Sequence, residues 1–186
     1  MSDNAAPPAR PQSDLAVKRA RVLALLDEAG AASVLLTSTT AVAWYLDGGR
    51  QHVSLAADPI VALRVSHDGD EAFVTSNETA RLVAEELPAG ITVRERSWYE
   101  PPEVRQEPGS LLERDLDAQL RAARAVLLPG ELARFRALGR DAAHAVTDVL
   151  LAAEPTWSER RTAAELAARL VSVGADPLVL LVAGES

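Results

Sequence analysis

The side chains able to carry chemistry are few and far apart. His52, His67 and His144, the three histidines, fall in a loop, a hairpin turn and a helix, and share no spacing that would bring them to one metal ion. His144 and Asp148 stand four apart on one helix face, the spacing of a proton relay or half a metal site. It is also that of an ordinary solvated helix pair worth about 0.2–0.5 kcal/mol. Asp68-Gly69-Asp70 has the beginning of a calcium loop without the further oxygens and the closing Glu, and a hairpin turn accounts for it. Gly48-Gly49 lacks the lysine and the run of backbone amides of a phosphate loop. Ser38, Ser158 and Ser172 have neither a Gly-x-Ser-x-Gly context nor a paired base. With no cysteine, thiolate nucleophiles, thiolate metal sites and disulfides are excluded. One local group remains, in which Trp44, Arg50 and His52 place an aromatic, a permanent cation and a titratable ring around the Gly-Gly turn. The same residues also read as a core aromatic, with Tyr45, beside a polar loop.

The elements that must position this group follow from periodicity and punctuation. Residues 13–29 carry Leu15, Val22, Leu25, Leu26 and Ala29 on one face, with Lys18, Arg19, Arg21 and Asp27 mostly elsewhere, between a Ser13 cap and a Gly30 stop. A short strand at 34–36 leads to the hydroxyl cluster 37–40, suited to capping a brief helix at 41–46 that breaks at Asp47-Gly48-Gly49. Residues 53–56 read as extended. Strands at 60–66 and 72–75 form a hairpin, Asn77 caps a helix to Leu87, and 91–96 alternates as another strand. Residues 1–12, rich in Pro and Ala, are expected to be a disordered tail. Residues 98–110 hold Pro101, Pro102 and Pro108 and read as a linker, with Trp98 and Tyr99 stapling the parts on either side. The expected division is therefore an α/β domain at 13–97 with a mixed sheet, a linker at 98–110, and a helical part at 111–186.

That last part opens with a Ser110-x-x-Glu113 capping box and a helix to about Ala125. A second helix starts near Pro129 and Gly130 with Leu132, Phe135, Leu138, Ala142, Val146, Val149 and Leu150 on one stripe, and Pro155 stops it. A Thr156-x-x-Glu159 box opens a third, ending at Gly174, and the apolar run 178–183 reads as a strand buried on both faces. Two helices and one core strand read as the opening of a domain, with its remaining strands expected elsewhere. Solitary strands need partners, so this part is expected to associate with other copies.

Composition bounds the partners. A chain of 186 residues with 48% hydrophobic content can build a real core. Its net charge of −8, with Lys18 as its one lysine, excludes a nucleic-acid surface. No apolar run reaches the ~20 residues of a membrane span, and no signal-peptide core is present, so a cytoplasmic location is expected.

Residues 21–36 with Tyr45-Leu46-Asp47-Gly48 resemble the N-terminal domain of the M24 metallopeptidases, which include aminopeptidase P, prolidase and creatinase. In that family a helix, a Gly and an apolar strand precede a Tyr-Leu-Thr-Gly-like turn. The two helices around Pro155, the Thr-Glu cap, the Gly and the run 178–183 resemble the start of the family's pita-bread catalytic domain. Val42 stands where the family has Asn and Asp47 where it has Thr, both near the family's substrate entrance. The resemblance implies a three-layer creatinase/prolidase N-terminal domain followed by the first elements of an incomplete catalytic domain. It implies a parent that cleaves Xaa-Pro peptides with two divalent metal ions, held by two Asp, one His and two Glu beyond residue 186. Those ligands map onto no residue here, so no cofactor, metal ligand or catalytic residue is assigned and the chain alone is expected to be inactive. Because the family's N-terminal domain faces the active site, sometimes a partner subunit's, Trp44, Arg50 and His52 become substrate-binding candidates. Descent from a peptidase or from a creatinase-like amidinohydrolase stays open, as does a non-catalytic binding or dimerisation module of the same fold.

Overall fold

The structure, a computed structural model, describes residues 12–51, 59–99, 104 and 106–184. It divides into two compact units, residues 1–128 and 129–186.

The first unit begins with α1 (Gln12–Ala29), closed by Gly30 in a left-handed conformation at φ 62°. Strand β1 (Ser33–Leu36) is buried along its whole length, as its apolar run requires of a strand covered on both sides. Helix α2 (Thr39–Tyr45) starts where Ser38 Oγ accepts from the Ala41 amide at 3.1 Å, so the hydroxyl cluster does cap. Strands β2 (Val61–Ser66) and β3 (Gly69–Thr75) form the expected hairpin. Gly69 takes φ 146° at its turn. Helix α3 (Thr79–Glu85) crosses to β4 (Thr92–Arg96), parallel to β3. Asn77 does not cap α3; the Thr79 hydroxyl instead donates to the Thr75 carbonyl at 3.0 Å.

The run expected to open a helix at Ser110 is a strand, β5 (Ser110–Leu112), which pairs parallel with β1. Pairing wins because it satisfies the backbone along the β1 edge, and the acid of the supposed box, Glu113, is used elsewhere, as is the neighbouring Asp115. Asp115 accepts from the Leu112 amide at 2.8 Å, and Glu113 accepts from the amides of Thr37 and Ser38, each at 2.8 Å. A 3-10 turn at Glu113–Leu116 then leads into α4 (Asp117–Ala125). The sheet order β4-β3-β2-β1-β5 is mixed, with an antiparallel centre and parallel edges. The compact units divide after Leu128, so the run 98–110 read as a linker ends inside the first unit's sheet.

One hydrophobic cluster holds this unit together. It joins Val22 and Leu26 of α1, Val34 and Leu36 of β1, Leu63 and Val65 of β2, Leu82 of α3, and Leu120 of α4, all fully buried. Each such side chain contributes roughly 1.5–3 kcal/mol through its removal from water. Alternation in β2 sends Val61, Leu63 and Val65 into this core and Arg64 and Ser66 to the opposite face.

The second unit contains α5 (Pro129–Ala152) and α6 (Glu159–Ser172), which pack on each other. Pro129 sits at the first helical position, where its missing N–H costs nothing. Ser158, not Thr156, caps α6, its hydroxyl accepting from the Arg161 amide at 3.2 Å, and Gly174 ends the segment at φ 82°. Residues 178–183 do not form the expected strand, because among the described residues no strand lies beside them to complete a ladder. Leu178, Val179 and Leu181 are instead 71%, 71% and 90% exposed. Among the described residues no helix is long and apolar enough to cross a membrane.

Candidate functional site

The turn after α2 is held by buried charge. Asp47 and Gly48 take left-handed conformations at φ 59° and 88°, a pair that reverses the chain sharply after Leu46. Gly49 is needed for proximity, since a Cβ there would stand 3.2 Å from the Leu46 Cβ and 3.6 Å from Glu86 Oε2. From below, Lys18 Nζ meets Asp47 Oδ1 at 2.7 Å and the Trp44 carbonyl at 2.9 Å. The two charged side chains are 1% and 3% exposed. In the sequence Lys18 belongs to the charged set that lies mostly off the apolar face of its helix. Its ammonium is drawn inward because it meets both a carboxylate and the carbonyl end of α2. From the other side Glu86, also buried, accepts from the Arg50 amide at 2.7 Å and from Arg50 Nε at 2.9 Å. Arg81 donates to the Arg50 carbonyl at 3.3 Å. Gln51 is fully buried, its Nε2 donating to the Thr39 carbonyl at 3.3 Å.

The expected candidates separate within this frame. Trp44 is a core residue, packed edge-on to Tyr45 with ring centroids 6.4 Å apart, and its buried indole N–H has no hydrogen-bond partner among the described residues. Arg50 keeps a side chain 73% exposed, but its guanidinium is paired with Glu86 through Nε at 2.9 Å and lies 3.5 Å from Glu85 through Nη2. No hydrogen bond joins these two side chains. His52 lies outside the described residues, as do residues 53–56. Of the other candidates, His67 Nε2 sits 2.9 Å from Asp27 Oδ1 on an exposed surface. Asp148 pairs with Arg169 of α6 at 3.2 Å. Trp98 and Tyr99 meet edge to face with ring centroids 5.9 Å apart and are 68% and 73% exposed.

Two further clusters were not singled out from the sequence. The Tyr45 hydroxyl donates to Asp70 at 2.6 Å, and Asp70 also takes Arg19 Nε at 3.2 Å, which ties α1, α2 and the hairpin together. Burial, then the Asp70 hydrogen bond, pushes the Tyr45 hydroxyl well above its ordinary range. On the face of the sheet opposite the core, Glu71 takes Arg94 at 2.7 Å and Arg64 at 2.9 Å. Arg64 also meets Glu107 at 2.8 Å, and its guanidinium lies 4.9 Å from the Phe73 ring centre. The Arg94 hydrogen bond, helped by Arg64 and opposed by burial, holds the Glu71 carboxyl below the usual range. The hydroxyls of Ser33 and Ser110 face each other at 2.5 Å beside this ladder, in a polar groove of about 380 Å³. The alternation of Arg64 and Ser66, and of Glu71 and Phe73, was the available signal for this face.

Chemically, the turn at 44–51 presents a fixed cation and neither a nucleophile nor a general base. Among the described residues no three His, Cys, Asp or Glu side chains converge as a metal site.

No protein-family profile matches the chain. No curated protein is similar to it in sequence. Among solved structures, the chain is similar to the prolidase from Pyrococcus horikoshii OT3, with a TM-score of 0.62 at 14% identity over 84% of this chain and 49% of that one. It is similar also to the dipeptidase PepE from Mycobacterium ulcerans, with a TM-score of 0.60 at 19% identity over 89% of this chain and 52% of that one. A third is the X-Pro aminopeptidase from Thermotoga maritima MSB8, with a TM-score of 0.58 at 16% identity over 84% and 49% of the two chains. The chain spans about half the length of each. Its architecture is the α/β fold of the N-terminal part of prolidase and Xaa-Pro aminopeptidase structures. At these identities the likeness is one of fold.

Proposed function

We propose that the chain supplies the N-terminal, substrate-facing part of an M24-type Xaa-Pro peptidase whose metal centre is carried by residues outside these 186. What supports this reading is that structures of Xaa-Pro peptidases and dipeptidases, at TM-scores of 0.58–0.62, match 84–89% of this chain with about half of their own length. In this reading Arg50 is the residue offered to substrate, as a carboxylate-binding cation on a rigid turn. Trp44 acts from beneath, as part of the support.

Two divalent ions would be required for hydrolysis, polarising the scissile carbonyl and activating water. The residues described here hold no such ligand set, so no step is assigned to them beyond binding and positioning.

The encoding gene tests this directly. An in-frame continuation past codon 186 that supplies two Asp, one His and two Glu in the family's order is expected. A stop codon, or a continuation without those residues, favours a non-catalytic binding module instead. The purified 186-residue protein is expected to keep no stoichiometric metal after dialysis and to leave Xaa-Pro peptides intact in added Mn²⁺. Stoichiometric metal with turnover that His144→Ala abolishes would place a metal centre inside the chain and end this reading.

A further inference from the structure

Lys18 is the one lysine of the sequence, and the fold closes it off. Its side chain is 1% exposed, with Nζ 2.7 Å from Asp47 Oδ1, 2.9 Å from the Trp44 carbonyl and 5.8 Å from the centre of the Trp44 ring. Those partners lie 26 and 29 residues along the chain, so the enclosure exists only once α1 and the turn after α2 have assembled. Residues outside these 186 can only add to the cover.

The exposed cations of the first unit are of another kind. Arg50, Arg94 and Arg121 are 73%, 59% and 69% exposed, and a guanidinium keeps its proton in neutral water and so is no nucleophile. A lysine amine acylates once it is deprotonated, and loses with its charge the ability to form an ion pair. Lysine-directed acylation of these 186 residues therefore converges on one amine, reachable in the unfolded chain and covered in the native one.

We propose that Lys18 is a fold-gated acylation site, closed to activated acyl donors in the native protein and open to them in the unfolded chain. There the neutral amine attacks the carbonyl carbon of a thioester or active ester. The N–C amide bond forms, the donor's C–S or C–O bond breaks, the leaving group takes the electron pair, and the amine proton passes to water. The product is longer and uncharged, so Asp47 would be buried without its counter-charge, which opposes return to the native turn. Acylation at this position thus marks a chain that has been unfolded and holds it back from refolding. The proposal does not depend on the peptidase reading, which is tested through the gene and through metal and turnover.

The test uses the full 186-residue protein, the N-hydroxysuccinimide ester of acetic acid as donor, and mass spectrometry of the segment containing Lys18. In the folded protein Lys18 should react at least about tenfold more slowly than in a synthetic peptide of residues 12–24, because reaction waits for local opening. The protein is next partly acetylated in urea, refolded, and briefly proteolysed across a urea series, so that molecules are digested according to their unfolded fraction. At the urea concentration where half of the unlabelled molecules survive, fewer than about a tenth of the acetyl-Lys18 molecules should survive. Acetylation of the α-amine falls on both populations alike and does not separate them. Labelling of the folded protein within tenfold of the peptide's rate, or survival of acetyl-Lys18 molecules above that tenth, overturns the proposal.

Discussion

The two units bury their side chains by different rules. In the first, a five-stranded sheet and four helices close around one cluster in which Leu26, Leu36, Leu63 and Leu120 are fully buried, and Lys18, Asp47 and Glu86 are buried only in company with partners. In the second, two helices leave Phe135, Leu150 and Leu181 at 61%, 68% and 90% exposure, and α6 has no buried residue. The same 48% hydrophobic composition thus serves two ends. The first part buries most of its large aliphatic side chains internally, and the second leaves most of them exposed.

That contrast is broken most severely by removing one half of the buried ion pair. Lys18→Met leaves Asp47 charged and buried, and should cost about 3–5 kcal/mol of the first unit's stability by chemical denaturation. Adding Asp47→Asn, which tolerates the left-handed turn, should recover part of that loss. A Lys18→Met variant as stable as the parent would show that the turn is not held by this charge.

Large-to-small changes sharpen the comparison. Leu63→Ala in β2 should cost about 2–5 kcal/mol, whereas Leu150→Ala on the exposed face of α5 should stay within about 0.5 kcal/mol. Equal losses would mean that α5 is packed as tightly as the sheet.

The smallest effect is on the acid limb of stability. Glu71 is held below the usual carboxylate range by Arg94 and Arg64, so its contribution is present above the unfolded value near pH 4 and is lost as pH falls through the lower folded value. Glu71→Gln should therefore flatten the fall in stability below about pH 4. At the other extreme Tyr45, raised by burial, favours the fold below about pH 10 and ceases to do so as the unfolded phenol ionises.

Much of this architecture was legible in the sequence because it is local. Gly30 as a stop, Ser38 within a capping cluster, Asp68-Gly69 as a hairpin turn and the stripe of α5 are each set by neighbouring residues. What was misread depended on distant partners. Ser110–Leu112 carries a helix-start pattern and becomes a strand only because β1 offers it an edge 77 residues away. Lys18 has the spacing of a surface lysine, and only the folded turn, 29 residues on, supplies the buried carboxylate that draws it in. The run 178–183 shows the converse, a strand pattern for which no ladder is available among the described residues. For the candidate site, the Gly-Gly turn was visible, but Glu86, which fixes Arg50, lies 36 residues away at the end of another helix.

The first unit, with β5 and α4 in place, is expected to fold without the second. The most direct measurement compares the urea unfolding of fragments 1–97 and 1–128 with that of the full chain. Fragment 1–128 should unfold cooperatively, with the midpoint that the first unit shows in the full chain. Fragment 1–97, lacking the strand beside β1 and the buried Leu116 and Leu120, should be unfolded or lose several kcal/mol. A fragment 1–97 as stable as 1–128, or a fragment 1–128 that does not fold, would contradict it.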